Sequence, residues 1–431
     1  MSGGIDFLSG MTDSSPLYAD IIFDGGVLRC ARNCSHRVWS YNTDPGHIFG
    51  LVRAGGAKID VPADVPTTSL AITWSMSTDV ADGVDGGLLK TGYGILGLRK
   101  ECNVKGPVVV REGRLHSSCT TAGAAAIGVG DVVVGSGDVC LRTGARAVAA
   151  CSAAGATFSY TNAASLVLGS GVALTLGADS AAENSVIRRQ GRGVLFVTSE
   201  VANSPVGTGP SLMVKGGIEC DAATGLPVQP IFTGRRLSGS GNVRRIAFAK
   251  CSGESVVPHE AVAFNPSTSD SSTVAQITSS AVAVSSDASV GALNVEYSSG
   301  AGGLSIADDA TLSIGSGNAG SVSALVVNNT LASSSAASVS GGTIRFTTPE
   351  AVVAVNGAHE SVYPIKIGSV LAGDCSVTFA APALDILGFR GCVSLGKDNT
   401  YTGDTWIEGV EVTAEKTGAF GRGTVQIRLP L

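Results

Sequence analysis

The chain has 431 residues, with 58 glycines, 15 prolines, 10 cysteines and few aromatics (3 Trp, 7 Tyr, 12 Phe). Charged residues make up 15%, against about 25% in an ordinary soluble domain, and a formal charge of −6 excludes the basic excess of a nucleic-acid binder. A hydrophobic share of 44%, mostly Ala and Val, is too high for a disordered chain, and glycine without a three-residue period excludes collagen.

The first twenty residues, Met1 to Asp20, lack a basic stretch followed by an apolar core, so they do not read as a signal peptide. The chain is then either intracellular or an internal fragment of a longer exported protein. Residues 1–54 read as N-terminal coils or a cap. Within them, Trp39, Tyr41, His47 and Phe49 form an aromatic cluster that fits a projecting loop or a plug of the first coils. Residues 55–431 read as β almost throughout. Val108–Val110, Val132–Val134, Leu166–Leu168, Ala173–Leu176 and Thr343–Phe346 are short apolar runs bounded by Gly, Ser, Asn or Asp, as strands and turns require. No dozen-residue window holds the 3.6-residue period of a helix. Two stretches, 147–178 and 310–344, carry no charge and are long enough to span a bilayer. Their many Ser, Thr, Asn and Gly residues would make poor lipid-facing helices, so no membrane insertion is expected.

Internal similarity organises the rest. Aligning Gly94-Ile95-Leu96-Gly97-Leu98 with Gly391-Cys392-Val393-Ser394-Leu395 brings Lys100 onto Lys397 and Gly106 onto Gly403. Glu112-Gly113 and Glu408-Gly409 then match with a one-residue gap. The clearest copies lie at 87–115, 191–218 and 387–425. Spacings of about 18 to 24 residues between turn glycines suit one coil of a solenoid. The expected fold is all-β: a single-stranded right-handed parallel β-helix. About 20 coils at ~4.8 Å per rung predict a rod on the order of 100 Å. Stacked Ser, Thr and Asn would keep such ladders polar without like-charge columns.

The run Gly396-Lys397-Asp398-Asn399-Thr400-Tyr401-Thr402-Gly403-Asp404-Thr405-Trp406-Ile407-Glu408-Gly409 resembles the passenger-associated transport repeat of bacterial autotransporters. Thr417 to Val425 looks like the stretch that follows that repeat, and Gly86 to Gly94 is similar to its opening. In the copy at 87–115, Cys102-Asn103-Val104-Lys105-Gly106 replaces the N-T-Y-T-G core. Close resemblance covers about a quarter of the chain. It implies a secreted or surface-displayed stalk for adhesion or display, with host or cell-surface glycans or proteins as partners. It also implies a C-terminal translocator barrel outside this chain. The rival expectations are a β-helical polysaccharide lyase or hydrolase and a phage tail-fibre or tailspike component.

Ten cysteines depart from typical passengers. They read as small core residues or as disulfides, with Cys30 and Cys34 the nearest pair in sequence. Gly391 to Lys397 approximates a phosphate loop, but Asp398 stands where Ser or Thr would hold magnesium. His259-Glu260 and His359-Glu360 lack the second histidine of a zinc protease motif, and Asp308 with Asp309 reads as a turn. No catalytic residue, cofactor or metal is assigned. One binding patch is expected: Arg188, Arg189, Arg235, Arg236, Arg244 and Arg245 could converge on an anion in an otherwise acidic protein.

Overall fold

A computed structural model of the chain describes residues 19–30, 35–38, 48–62, 69–72, 74–81, 83–135, 137–141, 147–236, 244–278, 280–297, 303–330, 338–356, 365–382 and 391–428. Trp39, Tyr41, His47, His359 and Glu360 lie outside these residues. The described residues are all-β and contain no helix. Strands stack mainly in parallel, one coil on the next, in long ladders consistent with a β-solenoid.

The first stack is three-sided. One face runs from Val27–Arg29 through Ala57–Asp60, Leu88–Thr91, Val108–Val110, Val132–Val134 and Phe158–Tyr160 to Ile187–Arg189. The second runs from Ser35–Val38 to Val194–Ser199 and Ile231–Arg236. The third opens with Ala19–Phe23 and ends at Ser211–Val214. In-register pairing builds interior columns. Leu70, Leu96, Leu115, Val139, Leu166 and Val197 are successive partners on the second face, and all are buried. Each rung is too short to hold its apolar side chains from water alone, so burial comes from the neighbouring coil.

The first stack does not continue straight into the second. Ile231–Arg236 pairs antiparallel with Arg244–Ser252, which pairs antiparallel with Ser255–Pro258. That strand in turn pairs antiparallel with Ser211–Val214, so the hairpin ties the second face to the third and closes the stack. A second parallel stack then begins. One of its two eight-stranded ladders runs from Val262–Ala263 to Val425–Arg428. The opposite ladder starts as two short faces, at Ala281–Val284 and Ala288–Val290. These merge in Ser338–Phe346, where the register shifts between Ser340 and Thr343. Gly341 makes the shift possible: its φ is +74° and an added Cβ would lie 2.1 Å from the Ile306 carbonyl oxygen.

The two stacks lie side by side with their chains running in opposite directions. Near the hairpin, Arg245 meets Glu296 and Ile246 meets Asn328. Further back, Arg189 meets Glu350, and lower still an added Cβ on Gly409 would lie 3.0 Å from Ala163. Ala163, Val194, Phe196, Phe232 and Phe248 of the first stack form one buried cluster with Val274, Ala292, Val326, Val352 and Ala380 of the second. The expectation of one rod on the order of 100 Å is therefore corrected. Ladders of about eight rungs are roughly 35 Å tall, and two of them are packed together.

The aligned repeat residues share conformation. Gly113 and Gly409 both occupy the left-handed region, at φ +66° and +63°. Leu96, Leu98 and Leu395 are buried strand residues, while Gly94 and Gly391 flank or open their strands. Cys102 and Val104 are buried around exposed Asn103, as Asn399 and Tyr401 are around exposed Thr400. One turn is thus filled by two apolar side chains in the first copy and by an amide and a phenol in the last.

Candidate functional site

The N-T-Y-T-G turn is a coil-to-coil fastening. The Asn399 Oδ1 accepts from Leu371 N at 2.8 Å, and its Nδ2 donates to the Ala419 carbonyl at 2.5 Å. A single buried amide therefore bonds the rungs on both sides. Tyr401 is fully buried, with its hydroxyl 2.5 Å from Thr405 Oγ1, which itself donates to the Phe420 carbonyl at 2.7 Å. Burial pushes the Tyr401 phenol up to about 12. Thr402 Oγ1 donates to Asp374 Oδ1 at 2.5 Å, and Gly403 N donates to the Cys375 carbonyl at 2.9 Å.

Carboxylates complete the turns. Asp24 accepts from Gly55 N, Asp131 from Thr157 N, Asp287 from Thr311 N, Asp398 from Gly418 N and Asp404 from Thr424 N, all within 2.9 Å. Asp85 accepts from Lys105 N at 2.9 Å and Gly106 N at 3.0 Å. The sequence suggested neutral ladders alone. Instead many acids face donors on an adjoining coil, where a charged acceptor makes a stronger bond than a neutral one. Asp308 and Asp309 lie in an exposed turn.

The described arginines of the expected patch differ in their surroundings. Arg189 forks onto Glu350, with Nη1 at 2.9 Å from Oε2 and Nη2 bonded to Oε1, while its Nε donates to the Gly193 carbonyl at 2.8 Å. Arg192 joins the same carboxylate at 2.5 Å. Across the hairpin Arg235 pairs in register with Arg245, and Arg236 with Arg244. Arg245 reaches Glu296 at 2.6 Å, and Arg235 donates to the Asn203 carbonyl at 3.2 Å. Burial raises the Glu296 carboxyl, with Arg245 and Arg235 opposing it. Burial likewise lowers Arg235, helped by the like charge of Arg245. Arg188 and Arg236 are exposed, and the Arg244 side chain lies outside the described residues. Glu296 and Glu350 were not singled out in the sequence, because each sits in an ordinary strand far along the chain.

Asp221 is the most heavily bonded acid at the seam. Its Oδ1 accepts from Ala223 N (2.9 Å), Thr224 N (2.8 Å) and Thr224 Oγ1 (3.0 Å). Its Oδ2 accepts from Ser316 Oγ (3.0 Å), Asn318 Nδ2 (2.7 Å) and Ser321 Oγ, all on the second stack. Burial alone would raise this carboxyl, but the bonds from Ser321, Asn318 and Thr224 outweigh it and hold it well below the usual range. Nearby, Asn328 accepts from Ile246 N and donates to Ile246 O, both at 2.8 Å, so a side chain caps the hairpin edge as a strand would. The same Nδ2 reaches Asn294 Oδ1 at 2.9 Å.

The chain matches no family model, no curated protein and no solved structure. At the seam an apolar recess lined by Leu226, Pro227, Phe232, Phe248, Val322 and Ala324 measures about 20 Å³. That is about one water. Among the described residues no group of three His, Cys, Asp or Glu side chains is placed to hold a metal. Gly391–Leu395 is a strand that leads into a turn, unlike the strand-to-helix geometry of a phosphate loop. His259 sits just after Ser255–Pro258, half-buried, with burial lowering its pKa.

Cys30 is disulfide-bonded, to a partner outside the described residues. Among the described residues eight others form no disulfide, and of these Cys102, Cys119, Cys140, Cys151, Cys375 and Cys392 are buried. Burial pushes Cys102, Cys151 and Cys375 up to about 12. Lys90 is fully buried, its Nζ donating to the carbonyls of Thr91, Gly92 and Glu112. Burial lowers it to about 7, against the opposing pull of Asp60 and Glu112.

Proposed function

We propose that the chain is a non-enzymatic structural segment of a bacterial autotransporter-type passenger, secreted or displayed at the cell surface for adhesion. On this reading it is a single-stranded right-handed parallel β-helix exported with a translocator barrel, and it presents its turns to glycans or proteins outside the cell. The observation that carries the reading is how its ionisable groups are used. Carboxylates that could do acid–base chemistry accept turn N–H groups, and Arg189, Arg192 and Arg245 neutralise Glu350 and Glu296. Groups consumed in this way hold coils together and leave little for a reacting substrate. The resemblance of residues 396–409 supports the same reading. The folded-back stacks make it a compact presenting block and not an extended spacer.

Protease shaving of intact cells that express the full-length protein tests this. Peptides from residues 19–428 should be released without lysis. Release only after lysis refutes surface display.

A further inference from the structure

The hairpin that closes the first stack carries arginines in two consecutive cross-strand pairs. Arg235 lies directly opposite Arg245, and Arg236 directly opposite Arg244. Residues opposite each other in an antiparallel pair share a face, with Cβ atoms about 5 Å apart, and like charges placed so are destabilising. Successive pairs alternate faces, so both faces of this ribbon end carry the cost. Further along the same strands Phe232 faces Phe248 inside the buried seam cluster, which confines the charge to the ribbon's end.

Neutralisation at the first pair is incomplete. Arg245 meets Glu296 at 2.6 Å. Arg235 instead donates to the neutral Asn203 carbonyl at 3.2 Å and has no ion pair among the described residues. Glu200 follows Ser199, the partner of Arg235 on the rung below, so that acid stands one rung below Arg236. Arg235 is partly exposed and Arg236 is exposed, so both can meet a ligand from solvent.

We propose that this ribbon end is a binding site for an anionic glycan, held through its sulfate or phosphate esters. A carboxylate offers two oxygens, which one guanidinium fork fills. A tetrahedral ester offers three, enough to take donors from two arginines that approach from opposite strands. Each bound ester also offsets the repulsion within an arginine pair, so binding relieves what the like charges cost. The esters follow from the arginines. The glycan follows from the proposed display at the cell surface, on which this assignment rests.

The test titrates the purified chain, at physiological ionic strength, with a fluorescent heparin-derived hexasaccharide, its fully desulfated form and a phosphorylated mannose oligosaccharide. At least one ester-bearing probe should bind, and which one binds names the ester. The desulfated form should bind about tenfold more weakly or worse. Arg235→Gln and Arg236→Gln should each weaken binding about tenfold or more, since each removes charge-assisted bonds. Arg188→Gln, which removes the same charge from the first face, should stay within about twofold of the parent. Arg236 is exposed, so its variant carries the test if Arg235→Gln does not fold. Failure of both ester-bearing probes, equal binding of the desulfated form, parent-like binding by a folded Arg235→Gln or Arg236→Gln protein, or an equal loss in Arg188→Gln would each overturn the site. Those results leave surface display standing, whereas ester binding by a chain that protease shaving finds inside the cell overturns display alone.

Discussion

Asp221→Asn is the sharpest perturbation of the seam. The native carboxylate accepts six bonds, three from its own loop and three from residues 316–321. An asparagine keeps one acceptor oxygen and brings an NH₂ against donors on the other side. If that NH₂ faces Ala223 N and Thr224 N, it meets backbone groups that cannot rotate. If it faces the second stack, the Ser316 and Ser321 hydroxyls can turn, but the charge that strengthened their bonds is gone. A hydrogen bond to a charged group contributes about 1.5–3 kcal/mol, so the loss should be about 2–4 kcal/mol at pH 7. The acid limb adds a sign. Because the folded carboxyl is depressed, its stabilisation is complete above the unfolded value of about 3.9 and fades as pH falls through the folded one. Urea unfolding should therefore separate the two proteins at pH 7 and bring them together toward pH 2. Asp308→Asn, in an exposed turn, should stay within about 0.5 kcal/mol of the parent. If Asp221→Asn matches that control at pH 7, the six-bond contact does not hold the stacks together.

Other perturbations probe separate parts of the structure. A double-mutant cycle on Arg189→Ala and Glu350→Ala, followed by urea unfolding, should show a coupling of about 1–3 kcal/mol, since the forked pair is largely buried. Gly113→Ala would place a Cβ 2.4 Å from the Gly92 carbonyl oxygen, whereas the nearest atom at Gly217 is 3.8 Å away. Both have left-handed φ and lose about 1 kcal/mol for it, so Gly113→Ala should be the more destabilising by about 2 kcal/mol or more. Lys90, lowered to about 7 from an unfolded value near 10.4, binds fewer protons folded than unfolded between those values. Stability should then rise from pH 7 to 10, and Lys90→Met should flatten that rise in pH-dependent melts.

Much of the coil was legible in the sequence because its determinants are local. Val108–Val110, Val132–Val134 and Ala173–Leu176 are strands as expected, and the run Leu166–Leu168 falls inside Ala163–Leu168. Glycines 113 and 409, aligned by sequence, share their left-handed turn. The fold-back is not legible in the sequence, since ion pairs such as Arg189–Glu350 join residues 161 apart and no local pattern marks them. One signal was present. Val194–Ser199, Ser323–Asn329 and most of Glu350–Asn356 are buried at every position, on both faces of their strands. A coil that exposes its outer face to water alternates, so apolar runs without alternation imply a second layer. The arginine pairs were visible as a group, but their acceptors were not. A carboxylate in a strand looks the same in sequence whether it faces solvent or a buried guanidinium.

Small-angle X-ray scattering of the purified chain tests the folded-back architecture most directly. Two short stacks packed side by side predict a radius of gyration close to the ~22 Å of a compact chain of this length. A single extended solenoid on the order of 100 Å long would give about 30 Å or more and a rod-like profile, and that result would contradict the two-stack arrangement.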